Sequence, residues 1–196
     1  VSPPGLRTNS LRYWEQLAVT LSAAAERFPD VRVLDLGGGL GVPERPGEKA
    51  LDIAGLDRRL GELKQTLPGY ELWLEPGRYL VAEAGVLLAR VTQTKGKRGM
   101  QYLGVATGMN SLIRPALYGA FHEIVNLSRL GEAATETVTV VGPICETADK
   151  LGTDRLLPVS VEGDVLLVAN AGAYGRAMSS NYNLREPAEE LALRFS

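Results

Sequence analysis

The spacing of apolar positions changes along this chain, and each change marks an element. Leu11, Trp14, Leu17 or Ala18, Leu21, Ala25 and Phe28 recur every three to four residues, the period of a helix with one buried face. Thr8-Asn9-Ser10 offers an N-cap before it, and Pro29-Asp30 stops it. The run VRVLDL at 31–36 then reads as a buried parallel strand. Leu56, Leu60, Leu63 and Leu67 predict a second amphipathic helix, closed by Pro68-Gly69. ELWL at 71–74 predicts a second short strand. Both strands run straight into a polar motif, which is where βα units place their chemistry. Two strands cannot close such a sheet, because parallel strands need neighbours and cover on both faces. The first part, residues 1–82, is therefore expected to be the C-terminal portion of a (β/α)8 barrel, a fold that takes about 250 residues when whole.

Beyond residue 85 the helical period disappears. Segments 86–94, 101–106, 135–141 and 165–169 are β-like, separated by glycines and charged turns. In 135–141 threonine alternates with valine, which suits a half-buried antiparallel strand. Residues 83–196 are thus expected to form an antiparallel β-sandwich or barrel. The fold class is α/β followed by all-β, with no internal repeat.

Composition narrows the partners. The 196 residues are 45% hydrophobic and 22% charged, with a formal net charge of -2, so there is no basic stripe for nucleic acid. Lys95, Lys97 and Arg98 cluster, but Gly96 and Gly99 among them indicate a solvated hairpin tip. No apolar stretch nears the roughly 18 residues of a membrane span, and the first residues lack a signal-peptide core. The single cysteine excludes an internal disulfide and fits a reducing compartment. A soluble, cytoplasmic protein is expected. His122 is the only histidine, which argues for a structural role and against a multi-histidine metal site; no metal is expected.

The polar motifs supply the candidate chemistry. Gly37-Gly38-Gly39-Leu40-Gly41 follows a strand and offers amides that an anion can approach without a Cβ in the way. Val42 breaks the dinucleotide fingerprint and no Gly-Lys-Ser/Thr follows, so the alternative is a tight turn. Glu75-Pro76-Gly77-Arg78 puts a carboxylate and a guanidinium at the next strand end, or else a capped turn with a local ion pair. Arg114 and Tyr118 are four apart; if Pro115 opens a helical turn, both project from one face as a carboxylate clamp. Otherwise they are a surface arginine and a core tyrosine. Cys145-Glu146 pairs a thiol proton donor with a carboxylate suited to an ammonium, with Asp149 placed to orient the loop; the alternative is a small buried hydrophobe. Tyr174 stands between small residues after a hydrophobic segment, either reaching into a cleft or packing on its own strand.

In order, the segments 35–41, 75–78, 108–118, 142–149 and 172–183 resemble the C-terminal half of the diaminopimelate decarboxylases, pyridoxal-phosphate enzymes of the alanine-racemase and ornithine-decarboxylase type. The matching stretches lie across about three-quarters of the chain. The resemblance implies a barrel followed by a β-domain. It implies that Gly38 and Gly39 bind the phosphate of pyridoxal 5'-phosphate, that Glu75 pairs with the pyridine nitrogen, and that Pro76, Gly77 and Arg78 lie close to the cofactor. Arg78, Arg114 and Tyr118 would hold the distal carboxylate of the substrate, Glu146 its distal ammonium, and Tyr174 would line both cofactor and substrate. Cys145 would return the proton after CO2 loss, with Cys145 and Glu146 reaching into the partner's site of a head-to-tail homodimer. The implied reaction is decarboxylation of meso-2,6-diaminopimelate to L-lysine. Ornithine and arginine decarboxylases of this type carry Asp after the Cys, where this chain has Glu146; another amino-acid or polyamine decarboxylase of the same fold type is an alternative. Two positions depart from the pattern. Thr107 stands where many relatives are acidic, and none of Lys49, Lys64, Lys95, Lys97 and Lys150 has the context of the Schiff-base lysine. The chain alone is accordingly expected to be inactive, and a non-catalytic dimerisation or binding fragment is the alternative.

Overall fold

A computed structural model describes residues 12–194. The expected N-cap at Thr8-Asn9-Ser10 and the first apolar position, Leu11, lie outside the described residues. The chain divides into two compact units: residues up to Pro43 together with Gly47–Leu80, and Glu44–Pro46 together with Val81 onward.

In the first unit, helix α1 (Arg12–Ala25) buries Trp14, Ala18 and Ala25. It ends three residues before the periodic run does, and Phe28 is exposed rather than in the core. Helix α2 (Ile53–Thr66) starts where the Asp52 carboxylate accepts the Gly55 amide at 2.9 Å, an N-cap, and buries Leu56 and Leu63. Strands β1 (Val33–Asp35) and β2 (Glu71–Trp73) pair in parallel, with Val33 opposite Glu71. Leu34, Leu36, Leu40 and Leu51 complete this core with the helix residues. A five-residue helix, α3 (Gly77–Val81), follows β2.

The second unit is a six-stranded sheet. Its strands are β3 (Leu87–Lys97), β4 (Met100–Val105), β5 (Ile124–Asn126), β6 (Glu136–Val141), β7 (Lys150–Leu157) and β8 (Val165–Val168), in the order β5-β8-β3-β4-β6-β7. Leu87, Ala89 and Val91 alternate inward along β3 and meet Leu103, Val138, Val140, Leu151, Leu166 and Val168 in one core. The β3–β4 turn is Arg98-Gly99, both at positive φ (52° and 79°), so the lysine cluster does sit at a tight hairpin tip. The edge strands turn towards each other: a Cβ added at Gly152 of β7 would lie 2.9 Å from Ile124 Cδ1 of β5, so the sheet is a nearly closed barrel.

The all-β expectation holds, with one difference in pairing. β4 and β6 run parallel, Gln101 opposite Val138, while the other four pairings are antiparallel, so the sheet is mixed. The chain from β4 to β6 passes through helix α4 (Arg114–Tyr118) and β5, long enough for a crossover. The threonine–valine alternation of 135–141 is only partly a one-sided pattern, because Thr139 is buried along with Val138 and Val140.

A polar cluster ties β5 to the turn before β8. Asp164 accepts Arg129 Nε at 2.6 Å, the Val161 amide at 3.0 Å and Asn126 Nδ2 at 3.0 Å. Burial pushes the Asp164 carboxyl up, but the hydrogen bonds from Arg129, Val161 and Asn126, with the Arg129 charge, outweigh it and hold it below its ordinary value. No helix among the described residues is long and apolar enough to cross a membrane.

Candidate functional site

In the first unit the two strand ends are locked together through the backbone. Leu36 donates its amide to Trp73 O at 2.9 Å, and Glu75 donates its amide to Gly37 O at 2.8 Å. Gly37 and Gly39 have φ of 67° and 92°, the left-handed region that glycine adopts without a Cβ penalty. Gly38 is required for a different reason: a Cβ there would collide with the carbonyl oxygen of Glu75. The loop is fixed further by the Gly37 amide, which donates to Asp35 Oδ1 at 2.8 Å.

This arrangement leaves three polar groups uncommitted. The amides of Gly38 and Gly39 donate to no described residue, and the Glu75 carboxylate meets no donor or cation among them. Two free amides beside a free carboxylate suit a ligand with an anionic end and a protonated ring nitrogen. Pro76, Gly77 and Arg78 open α3, and Arg78 is half-buried.

In the second unit the loop bearing Cys145 and Glu146 is held from beneath by one carboxylate. Asp149 is buried; its Oδ1 accepts the Met109 amide at 2.6 Å and its Oδ2 the Ile144 amide at 2.7 Å. A Cβ on either Gly108 or Gly142 would strike that carboxylate, so the two glycines make its berth. The orienting role expected of Asp149 thus has a definite form. Cys145 itself is exposed, and Glu146 is exposed with a long contact, 3.5 Å, from Tyr182 Oη. Thr107, the departure noted in the sequence, bonds the Ser111 hydroxyl at 2.5 Å. Ser111 Oγ in turn accepts the Ala188 amide at 2.8 Å, so this hydroxyl pair fastens the C-terminal segment.

Arg114 and Tyr118 both lie on α4, which Pro115 opens as anticipated. Arg114 is 4% exposed and Tyr118 60%. Arg114 Nη1 lies 3.0 Å from His122 Nε2, and Arg114 Nη2 lies 3.7 Å from Glu44 Oε1. His122 Nδ1 lies 2.8 Å from Ala169 O. A guanidinium only donates and a carbonyl only accepts, so His122 carries its proton on Nδ1 and offers a lone pair at Nε2. The histidine is fully buried with its Nε2 towards Arg114.

Tyr174 is 46% exposed at a φ of 63°, rare for a side chain larger than asparagine. Its turn is braced by two glycines: a Cβ on Gly172 would meet Val81 O, and one on Gly175 would meet Ala171 O. Sequence reading gave no role to Glu44 or Tyr182. For Glu44 no local signal exists, as its partner is 70 residues away; Tyr182 sat within a quoted segment without a distinguishing pattern. Among the described residues no group of three His, Cys, Asp or Glu is placed to hold a metal ion.

The model of the pyridoxal-dependent decarboxylase C-terminal sheet domain matches residues 31–172. The diaminopimelate decarboxylase of Methanothermobacter thermautotrophicus is 44% identical over 165 residues, covering 81% of this chain and 38% of that protein. That of Vibrio cholerae is 46% identical over 182 residues, covering 89% and 41%. The crystal structure of diaminopimelate decarboxylase from Helicobacter pylori complexed with L-lysine superposes with a TM-score of 0.81 at 32% identity, covering 94% of this chain and 45% of that one. The chain spans about two-fifths of the curated relatives it matches.

Proposed function

Because the chain belongs to the pyridoxal-dependent decarboxylase family, we propose that it is the C-terminal part of an enzyme that converts meso-2,6-diaminopimelate to L-lysine and CO2. The observation that carries this reading is the locked pair of strand ends, where Gly38 abuts the Glu75 backbone and leaves two amides and a carboxylate uncommitted. Those groups fit pyridoxal 5'-phosphate. The Gly38 and Gly39 amides bind its phosphate, with Pro76, Gly77 and Arg78 alongside, and Glu75 keeps its ring nitrogen protonated. When bound, the cofactor supplies an electron sink for the electron pair left as CO2 departs.

The residues of this chain then divide the remaining work. Arg78, Arg114 and Tyr118 hold the distal carboxylate of the substrate, and Glu146 takes its distal ammonium. Arg114 keeps its place because His122 and Glu44 fix the other edge of the guanidinium. Cys145 Sγ holds the proton that the α-carbon receives, and Tyr174 lines the cofactor and substrate. The Asp149 berth presents Cys145 and Glu146 outward together, which favours their acting in a partner's site within a head-to-tail homodimer. A cytoplasmic enzyme built on a barrel that begins upstream of residue 1, with residues 83–196 as the β-domain, completes the reading.

The test is decarboxylation by the full-length protein. Release of CO2 from meso-diaminopimelate with accumulation of lysine is the expected result, and Glu146→Asp should raise KM for that substrate about tenfold, the loss of one well-placed charged hydrogen bond. Turnover confined to lysine, ornithine or arginine would overturn the substrate assignment.

A further inference from the structure

A second cluster of charge lies in the β-unit, apart from the residues assigned above. A cleft of about 500 Å³ opens between α4 and β7. Its walls carry three cationic side chains, Arg45, Lys150 and Arg155, and the phenyl ring of Phe121. The Arg155 guanidinium carbon lies 3.7 Å from the centre of that ring and the Arg45 carbon 4.1 Å. Cation–π contacts of this kind hold a guanidinium in place while leaving its N–H edges available.

Several features set Arg155 there. β7 is bulged: Val138 pairs with Arg155 and Val140 with Gly152, so two β7 residues, Thr153 and Asp154, face one on β6. Asp154 adopts the left-handed conformation, φ 52°, a strained state for a non-glycine residue. Bulges of this kind re-aim a side chain. Arg155 Nε then lies flat against Gly152, where a Cβ would collide with it. That Nε is buried and makes no hydrogen bond.

Among the described residues, the cationic groups have no carboxylate in contact with them. None of Arg45, Lys150 and Arg155 forms an ion pair with another described residue. Burial lowers the Arg155 pKa; the Glu123 charge offsets part of this, the like charge of Arg45 lowers it a little further, and Asp154 helps least. Holding two guanidinium groups on one ring, without a contacting carboxylate, is unfavourable unless an anion joins them.

We infer that this cleft is a second ligand site, which takes a small organic oxyanion, a carboxylate or phosphate carried on an apolar body. Arg45, Lys150 and Arg155 receive the oxyanion through charge-assisted hydrogen bonds, and the body lies against Pro115, Ala116 and Ala120. The site goes beyond the decarboxylase reading and does not depend on it.

Titration calorimetry on the full-length protein, saturated with pyridoxal phosphate so that the glycine loop is filled, tests the inference. Benzoate and phenyl phosphate are the probes, benzyl alcohol is the uncharged control, and low salt is used. Saturable binding of at least one anion, with none of the alcohol, is expected; which anion binds tells the two head groups apart. Arg45→Ala and Lys150→Ala each should weaken it about tenfold, the value of one charged hydrogen bond. Both side chains are exposed, so these variants should fold, with melting temperatures near that of the parent. No binding, an affinity unchanged from the parent in both variants, or displacement by L-lysine would each overturn the site.

Discussion

Asp149→Ala removes the acceptor on which the Cys145-Glu146 loop rests. Two backbone amides, Met109 at 2.6 Å and Ile144 at 2.7 Å, lose a charged partner. Hydrogen bonds to charged groups contribute about 1.5–3 kcal/mol each. The Ile144 bond is buried, so water cannot replace it and its full value is lost; the Met109 bond is part-buried and forfeits less. The expected destabilisation is therefore about 3–4 kcal/mol. With a urea slope of about 2 kcal/mol per molar, the unfolding midpoint of the full-length protein should fall by about 1.5–2 M. Asp149→Asn keeps one acceptor and turns a donor towards the other amide, so it should lose about half as much. Amide exchange at Met109 and Ile144 should accelerate in both variants. A midpoint within about 0.3 M of the parent for Asp149→Ala would refute the claim that this carboxylate holds the loop.

Other expectations follow from the same geometry. The Asp164 carboxyl is held below its ordinary value of 3.8, so the stability it contributes is present above about pH 4 and is lost as pH falls through its lower folded value. Asp164→Asn should therefore lose less stability than the parent between about pH 4 and pH 2, and parallel acid-unfolding curves would refute this. Gly38→Ala must part the ends of β1 and β2, because its Cβ meets backbone rather than a movable side chain. Pyridoxal phosphate affinity, followed by absorbance titration, should fall at least about tenfold, equivalent to ~1.4 kcal/mol. His122→Ala leaves a buried Arg114 Nη1 without its acceptor, a cost of about 1–3 kcal/mol. KM for diaminopimelate should rise about tenfold while kcat changes less than about threefold, and an unchanged KM would remove Arg114 from substrate binding.

Much of the fold is written in local patterns. The leucines of α2, the apolar runs of β1 and β2, and the glycines of the β3–β4 turn each specify their element through period or backbone freedom. β5 has three residues, too few to show alternation, and β7 is interrupted by bulges and a left-handed aspartate, so neither has a legible period. The parallel pairing of β4 with β6 is a property of the crossover and not of either strand. The site divides in the same way. Gly38, Glu75, Cys145 and Tyr174 announce themselves as unusual residues at strand ends. Their supports do not: Asp149 acts on an amide 40 residues away and His122 draws its meaning from Arg114 and a distant carbonyl. A single sequence gives no sign that such residues meet.

Tyr174 has a consequence for how this protein can change over generations. A backbone at φ 63° suits glycine or asparagine, and a bulky L-residue there forgoes about 1–2 kcal/mol. Under the role proposed for Tyr174 beside the cofactor, stability and chemistry ask for different residues at one position. Lineages screened only for heat tolerance should drift to glycine or asparagine at 174 and shed the phenol, whereas those that must keep turnover will retain the strain and recover the margin elsewhere.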